Sequence, residues 1–109
     1  MSHPQWQSES AQQARLSGAL DRETVPELWR YLSQWQPEGT KLNVSLAEVE
    51  RIDSAGMVML IHLIEHAKRQ NCHIMLNSVP EQLSTLFQLS NIDQMMAQHI
   101  ENSAGVICG

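Results

Sequence analysis

Basic residues are scarce in this chain: seven Lys and Arg stand against twelve Asp and Glu in 109 residues, for a formal net charge of −5. The largest basic cluster is the pair Lys68-Arg69. The sequence therefore carries no footprint for a nucleic-acid backbone, and direct binding to an anionic membrane surface is disfavoured for the same reason. Long hydrophobic runs are missing too. The longest, Met57 to Ile61, is cut by His62 and is far too short to cross a bilayer. The opening Met1-Ser2-His3-Pro4-Gln5 lacks the apolar core of a secretory leader. Cysteine is limited to Cys72 and Cys108, with no paired spacing, which points to a reduced, cytoplasmic setting.

Chemistry-bearing motifs are equally thin. No Gly-rich phosphate loop, Gly-x-Ser-x-Gly elbow or Ser-x-x-Lys is present, and no carboxylate pair is marked for acid–base work. His62 and His66 have the i, i+4 spacing of a helical metal pair, yet neither Glu65 nor Cys72 is placed to complete a tetrahedral set. The expectation is a protein without metal or cofactor that is not an enzyme.

What is there is one domain's worth of patterned sequence, with 42% hydrophobic residues. Met1 to Gln13 is polar, with Trp6 as its only bulky anchor, and is expected as a loose edge strand or a frayed start. Ala14 to Leu20 alternates as a strand with one buried face. Thr24-Val25-Pro26-Glu27 has the letters of a capping box, and Val25, Leu28, Trp29, Leu32 and Trp35 continue at helical spacing to about Gln36. Lys41 to Leu46 is a second strand, followed by a bend at Ala47-Glu48-Val49-Glu50. A helix runs from Ser54 to about Gln70, and Cys72 to Asn77 is a third strand, expected to be more fully buried than the second. Ser78-Val79-Pro80-Glu81 repeats the earlier capping letters and opens a helix carrying Leu83, Leu86, Phe87 and Leu89, which Ser90-Asn91 ends. The tail from Asp93 has weak periodicity, and Ser103-Ala104-Gly105 reads as a loose end. Strands alternating with helices predict an α/β sandwich, a small central sheet with helices packed on it, with a core from about 14 to 92 and peripheral segments at 1–13 and 93–109.

The most informative stretch is Arg51-Ile52-Asp53-Ser54-Ala55-Gly56, running straight into the apolar Met57-Val58-Met59-Leu60-Ile61. A strand ends there, a carboxylate caps, and small residues open a helix. Its free N–H groups suit an anion or a partner's loop; caps with small residues also serve plain helix-on-sheet packing. At about 100° per residue, Met57, Leu60, Ile61, Leu63, Ile64 and Ala67 face the core, while Ala55, Met59, His62 and His66 fall on the other arc. The candidate contact surface is therefore Asp53, Ser54, Ala55, Gly56, Val58, Met59 and His62. Asp53 holds the turn, Ser54 offers a hydroxyl, Ala55 and Gly56 allow close approach, and Met59 supplies apolar contact.

The order of elements, with Leu16-Ser17-Gly18-Ala19-Leu20-Asp21 early and Arg51-Ile52-Asp53-Ser54-Ala55-Gly56 opening the second helix, resembles a STAS domain from about Arg15 to Ile92. That family covers anti-sigma factor antagonists and the cytoplasmic tails of sulfate transporters. The resemblance implies a STAS-type sandwich with a mixed sheet. Antagonists of the anti-sigma class usually carry Asp-Ser-Ser-Gly, with phosphate on the second hydroxyl; Ala55 stands at that place here, and Ser54 keeps the first hydroxyl. Leu28-Trp29 and Leu60 to Gln70 look like the small free-standing STAS subunits of phospholipid-transporting ABC complexes. That likeness implies a cytoplasmic accessory subunit, held at the inner membrane through its partner, which binds the transporter's ATPase and serves outer-membrane lipid asymmetry. In those subunits the residue after the Asp matters for the ATPase contact, a place Ser54 occupies. An antagonist of an anti-sigma factor with Ser54 as phosphorylation site is the alternative, and a small-ligand or lipid-binding domain is a third.

Overall fold

Alternation of apolar and polar residues builds the sheet, and a computed structural model describes residues 3–100. The expected loose end at Ser103-Ala104-Gly105, and Cys108, lie outside these residues. The strands are β1 (Trp6–Ser10), β2 (Gln13–Leu20), β3 (Lys41–Ile52) and β4 (His73–Asn77). The helices are α1 (Val25–Leu32), α2 (Ser54–Arg69), α3 (Glu81–Leu89) and α4 (Asp93–Met96), and a 3₁₀ turn, Ala97–His99, follows. The sheet runs in the order β1-β2-β3-β4. β1 is antiparallel to β2, whereas β2–β3 and β3–β4 are parallel. Each parallel step is made through a helix, α1 then α2, as parallel neighbours require.

One face of the sheet is apolar. Ala14, Leu16 and Leu20 of β2, Leu42, Val44, Leu46 and Ile52 of β3, and Ile74 and Leu76 of β4 are buried there. They meet Leu28 and Leu32 of α1, Leu60, Leu63 and Ala67 of α2, and Leu83 and Phe87 of α3. The core reaches past the expected limits of 14 and 92 at both ends. Trp6 is buried, with its ring edge-on to Trp35 at 5.4 Å, and Met96 of α4 is buried against the same core. A single large ring anchors β1 even though the rest of that strand is exposed.

Several local expectations are corrected. Neither capping box forms. Thr24 has helical backbone angles, and its hydroxyl donates to Ala19 O at 2.7 Å instead of capping. Asp21 instead closes the turn before the helix, its Oδ1 accepting from Glu23 N and Thr24 N at 3.0 and 3.1 Å. Pro80 holds the cap position of α3, and Ser78 sits in the left-handed region with φ 54°. α1 stops at Leu32 rather than near Gln36, because Trp35 turns back onto Trp6 and Pro37 disfavours helix at the residue before it.

The segment Ala47-Glu48-Val49-Glu50 is no bend: β3 runs through it, with register shifts against β2 between Arg15 and Ser17 and between Gly18 and Ala19. Two bulges absorb the extra residues that spoiled the alternation. Gly18 supplies the φ of +76° needed there, and Gln5 Nε2 donates to Ser17 O and Ala19 O on either side of it. β4 is a sheet edge with alternating burial, His73 outward and Ile74 inward, the same pattern as Lys41 to Leu46 of β3, which it does not exceed. Leu89, placed on the helix's apolar face, is 77% exposed.

Candidate functional site

β2 and β3 end side by side, and each ends with an aliphatic residue followed by aspartate: Leu20-Asp21 and Ile52-Asp53. Each aspartate turns its chain into a helix. Asp53 is extended, and its Oδ1 accepts from Ala55 N at 2.9 Å and Gly56 N at 3.3 Å, capping α2 as its letters predicted. Its own N–H donates to Leu20 O at 3.2 Å, stitching the turn to the end of β2. The side chain of Gln82, from the first turn of α3, accepts from Ile52 N at 3.3 Å. Three helix starts thus converge on one end of the sheet, around an open cleft of about 330 Å³ lined by Asp21, Arg22, Glu23, Arg51, Ile52, Asp53 and Gln82.

Arg51 Nη2 donates to Asp21 Oδ2 at 2.8 Å, closing the cleft's floor between β3 and the start of α1. Arg51 holds the Asp21 carboxyl below the ordinary carboxylate range, aided by the N–H bonds from Glu23 and Thr24 and opposed by burial. Asp21 binds a proton less readily in the fold than in the open chain. Its contribution is thus complete above the ordinary carboxylate pKa and is lost as pH falls through the lowered one. Asp21→Asn is therefore expected to lower the urea midpoint near neutral pH, with the gap from the parent narrowing below about pH 4. A gap that stays constant down to about pH 2 would show that the carboxylate's charge does not stabilise the fold.

The seven candidate contact residues do not form one surface. Ser54 and His62 are exposed and Val58 is 44% exposed, all on the outward side of α2. Among the described residues the Ser54 side chain makes no hydrogen bond. Asp53 and Ala55 are half-buried in the turn. Gly56 is buried, and its smallness serves the interior: a Cβ there would lie 2.4 Å from Leu20 O. Met59 is also buried, at 2% exposure, and joins the core instead of the contact surface.

The reason is α1, which lies along one flank of α2 and widens its buried arc beyond the part facing the sheet. The same flank holds His66. Its Nε2 lies 2.6 Å from Trp35 O and 3.0 Å from Gln70 Nε2, and its ring packs beside Trp29 and Trp35. His62 lies against Trp29, with ring centroids 5.9 Å apart. Among the described residues no three His, Cys, Asp or Glu side chains are grouped to hold a metal ion. Sequence reasoning missed Asp21, Arg51 and Gln82. The aliphatic-Asp ending shared by the first two strands of the parallel set was the signal for Asp21, and none marked Gln82.

A four-stranded mixed sheet with helices starting at the ends of its parallel strands is the architecture of the STAS domain. The anti-sigma factor antagonist SpoIIAA in its unphosphorylated form superposes with a TM-score of 0.67 at 17% identity, over 89% of this chain and 84% of that chain. A sulfate transporter family protein from Wolinella succinogenes gives 0.63 at 16% identity, over 82% and 74%. The family described as "Mlab, STAS domain" matches residues 5–98, and this chain belongs to it.

Over 79 residues, 71% of this chain and 77% of the relative, it is 34% identical to the intermembrane phospholipid transport system binding protein MlaB of Escherichia coli K12. It is also 28% identical over 85 residues to the anti-sigma-B factor antagonist of Staphylococcus epidermidis, covering 77% of this chain and 79% of that one. To that of Bacillus subtilis it is 24% identical over 100 residues, 92% of each. These relatives bear the names of a binding protein and of antagonists, and STAS domains are interaction or regulatory modules.

Proposed function

We propose that this chain is a non-enzymatic accessory subunit of a phospholipid-transporting ABC complex, binding the complex's ATPase and stabilising or activating it. It works in the cytoplasm, at the inner membrane through its partner, in the service of outer-membrane lipid asymmetry. The observation that carries this reading is the 34% identity, over most of both chains, to a binding protein of an intermembrane phospholipid transport system. The site fits a protein partner: Ser54, Val58 and His62 line up outward on α2, and the polar cleft opens beside them. Docking would centre on this small patch, with the rim excluding water. It changes ATP turnover only by binding one state of the ATPase better than another.

The test is native capture of this chain from its own cell's membranes in mild detergent, followed by mass spectrometry. Recovery of an ABC ATPase with its permease is expected. Recovery of a kinase-like anti-sigma factor without transporter subunits would overturn the reading. The similarity to anti-sigma-B factor antagonists gives that second reading its footing. It predicts phosphate on Ser54, the hydroxyl left in the turn, after incubation with the captured kinase.

A further inference from the structure

The described chain closes with α4, packed on α3, and the turn Ala97–His99, which lies along β4, the edge of the sheet, where Ile100 forms a parallel bridge with Leu76. Two histidines fasten this segment. His73 of β4 and His99 stack with ring centroids 4.6 Å apart and planes inclined by 24°. Each also reaches the main chain of a residue beside the other. His99 Nδ1 lies 2.9 Å from Ile74 O, and His73 Nε2 lies 3.0 Å from Gln98 O. A carbonyl only accepts, so both of these nitrogens carry hydrogen, and in the neutral rings the remaining nitrogens are bare. His73 is exposed, whereas His99 is 5% exposed.

We propose that the His73–His99 clasp is an acid-opened latch. It holds the segment from α4 to Ile100 on β4 near neutral pH and releases it when both rings take up protons. Release uncovers the strand edge and the apolar wall of Ile61 and Ile64.

The surroundings favour opening over a stable doubly charged pair. The two rings lie face to face, so charging both sets one cation directly against another. Lys68 of α2 adds a positive charge from the other side, and Lys41, paired with His73 across β3–β4, adds another at the rim. Glu65 of α2 is the carboxylate of the pocket beside His99, and Asp93 stands at the far end of α4. Cys72, the remaining titratable neighbour, is buried with its thiol pushed up by that burial, and so stays neutral. Burial, then His73 and Lys68, hold His99 below the ordinary histidine value, against the hydrogen bond to Ile74 O.

The docked segment therefore binds fewer protons than the released one. Docking is at full strength above about pH 6.5 and weakens as pH falls, tenfold for each unit down to the lowered value. The hold is otherwise slight. α4 has four residues, and an open pocket of about 200 Å³ remains between Met95, Met96 and α2, so opening here needs far less than global unfolding.

The test is backbone hydrogen exchange by mass spectrometry at about pH 7.5 and 5.0, corrected for intrinsic rates, on the parent and on His73→Gln. Glutamine keeps an N–H for Gln98 O and removes the stacked charge. The expected result is a loss of about tenfold or more in protection of residues 94–100 at the lower pH, with 42–46 of β3 still protected. In His73→Gln the release should need a lower pH. Unchanged protection of 94–100 overturns the latch. So does parallel loss in 42–46, which would be general acid unfolding, or release of His73→Gln at the parent's pH, which would leave the stacked pair without a role.

Discussion

Gly56→Ala is expected to lower the unfolding midpoint by roughly 12 °C or more, a loss of about 3 kcal/mol. The added methyl would lie 2.4 Å from Leu20 O, 2.7 Å from Ile52 Cγ1 and 2.8 Å from Leu20 Cβ. None of these is the free end of a flexible side chain. Leu20 O is also the acceptor for Asp53 N–H, so retreat from the methyl breaks the bond that ties the turn to β2. Helix propensity works the other way by about 1 kcal/mol in favour of alanine, which is too little to offset a clash with main chain. Gly39→Ala is the control, since its Cβ would meet Ala11 O at an ordinary 3.7 Å and no positive φ is required. Thermal unfolding of both variants decides the matter. A Gly56→Ala midpoint within about 2 °C of the parent would mean that α2 does not pack on β2 as closely as described.

That glycine shows where sequence and structure part. A small residue after a cap is compatible with a partner's close approach and with internal close packing, and the letters do not distinguish them. Only the neighbouring strand end does. Met59 failed for a related reason. Helical periodicity locates the centre of the buried arc on α2, but its width depends on whether a second helix covers the flank, and α1 lies distant in sequence. α2 itself and the inward faces of β2 and β3 were legible because their alternation and spacing are local properties, as was the carboxylate cap at Asp53.

The pieces misread or left open all depended on pairing across the chain. Trp6 is buried because Trp35 returns from the end of α1 to meet it. The irregular letters at Ala47 to Glu50 remain in a strand because β2 offers a bulged partner. Thr24 fails to cap because its backbone is already helical, Pro26 offers no N–H, and its hydroxyl oxygen accepts instead from Asp21 N at 3.1 Å. Asp21 and Arg51, thirty positions apart, share an ion pair that no local pattern announces.

Ser54→Arg is expected to weaken binding of the captured ATPase by about 100-fold or more while leaving the fold in place. The position is exposed, and among the described residues its side chain holds no hydrogen bond, so nothing inside is lost. A cation on the first turn of a helix opposes the dipole by about 0.3–1 kcal/mol, so only a small fall in midpoint is due. The bulk, by contrast, stands where the outward row continuing through Val58 and His62 begins, and a partner seated on that row must meet it.

Ser54→Glu separates bulk from charge, because its sign suits the helix start. Loss with both variants means the turn is buried against the partner, and loss with arginine alone means the partner presents positive charge there. Gln12→Arg, in the exposed β1–β2 turn at the opposite end of β2, should bind as the parent does. The readout is equilibrium binding of the purified chain to the ATPase, with unfolding midpoints for each variant. Parent-like affinity for a folded Ser54→Arg would remove the turn from the interface and leave the ATPase contact, if capture recovers one, to another face of the domain.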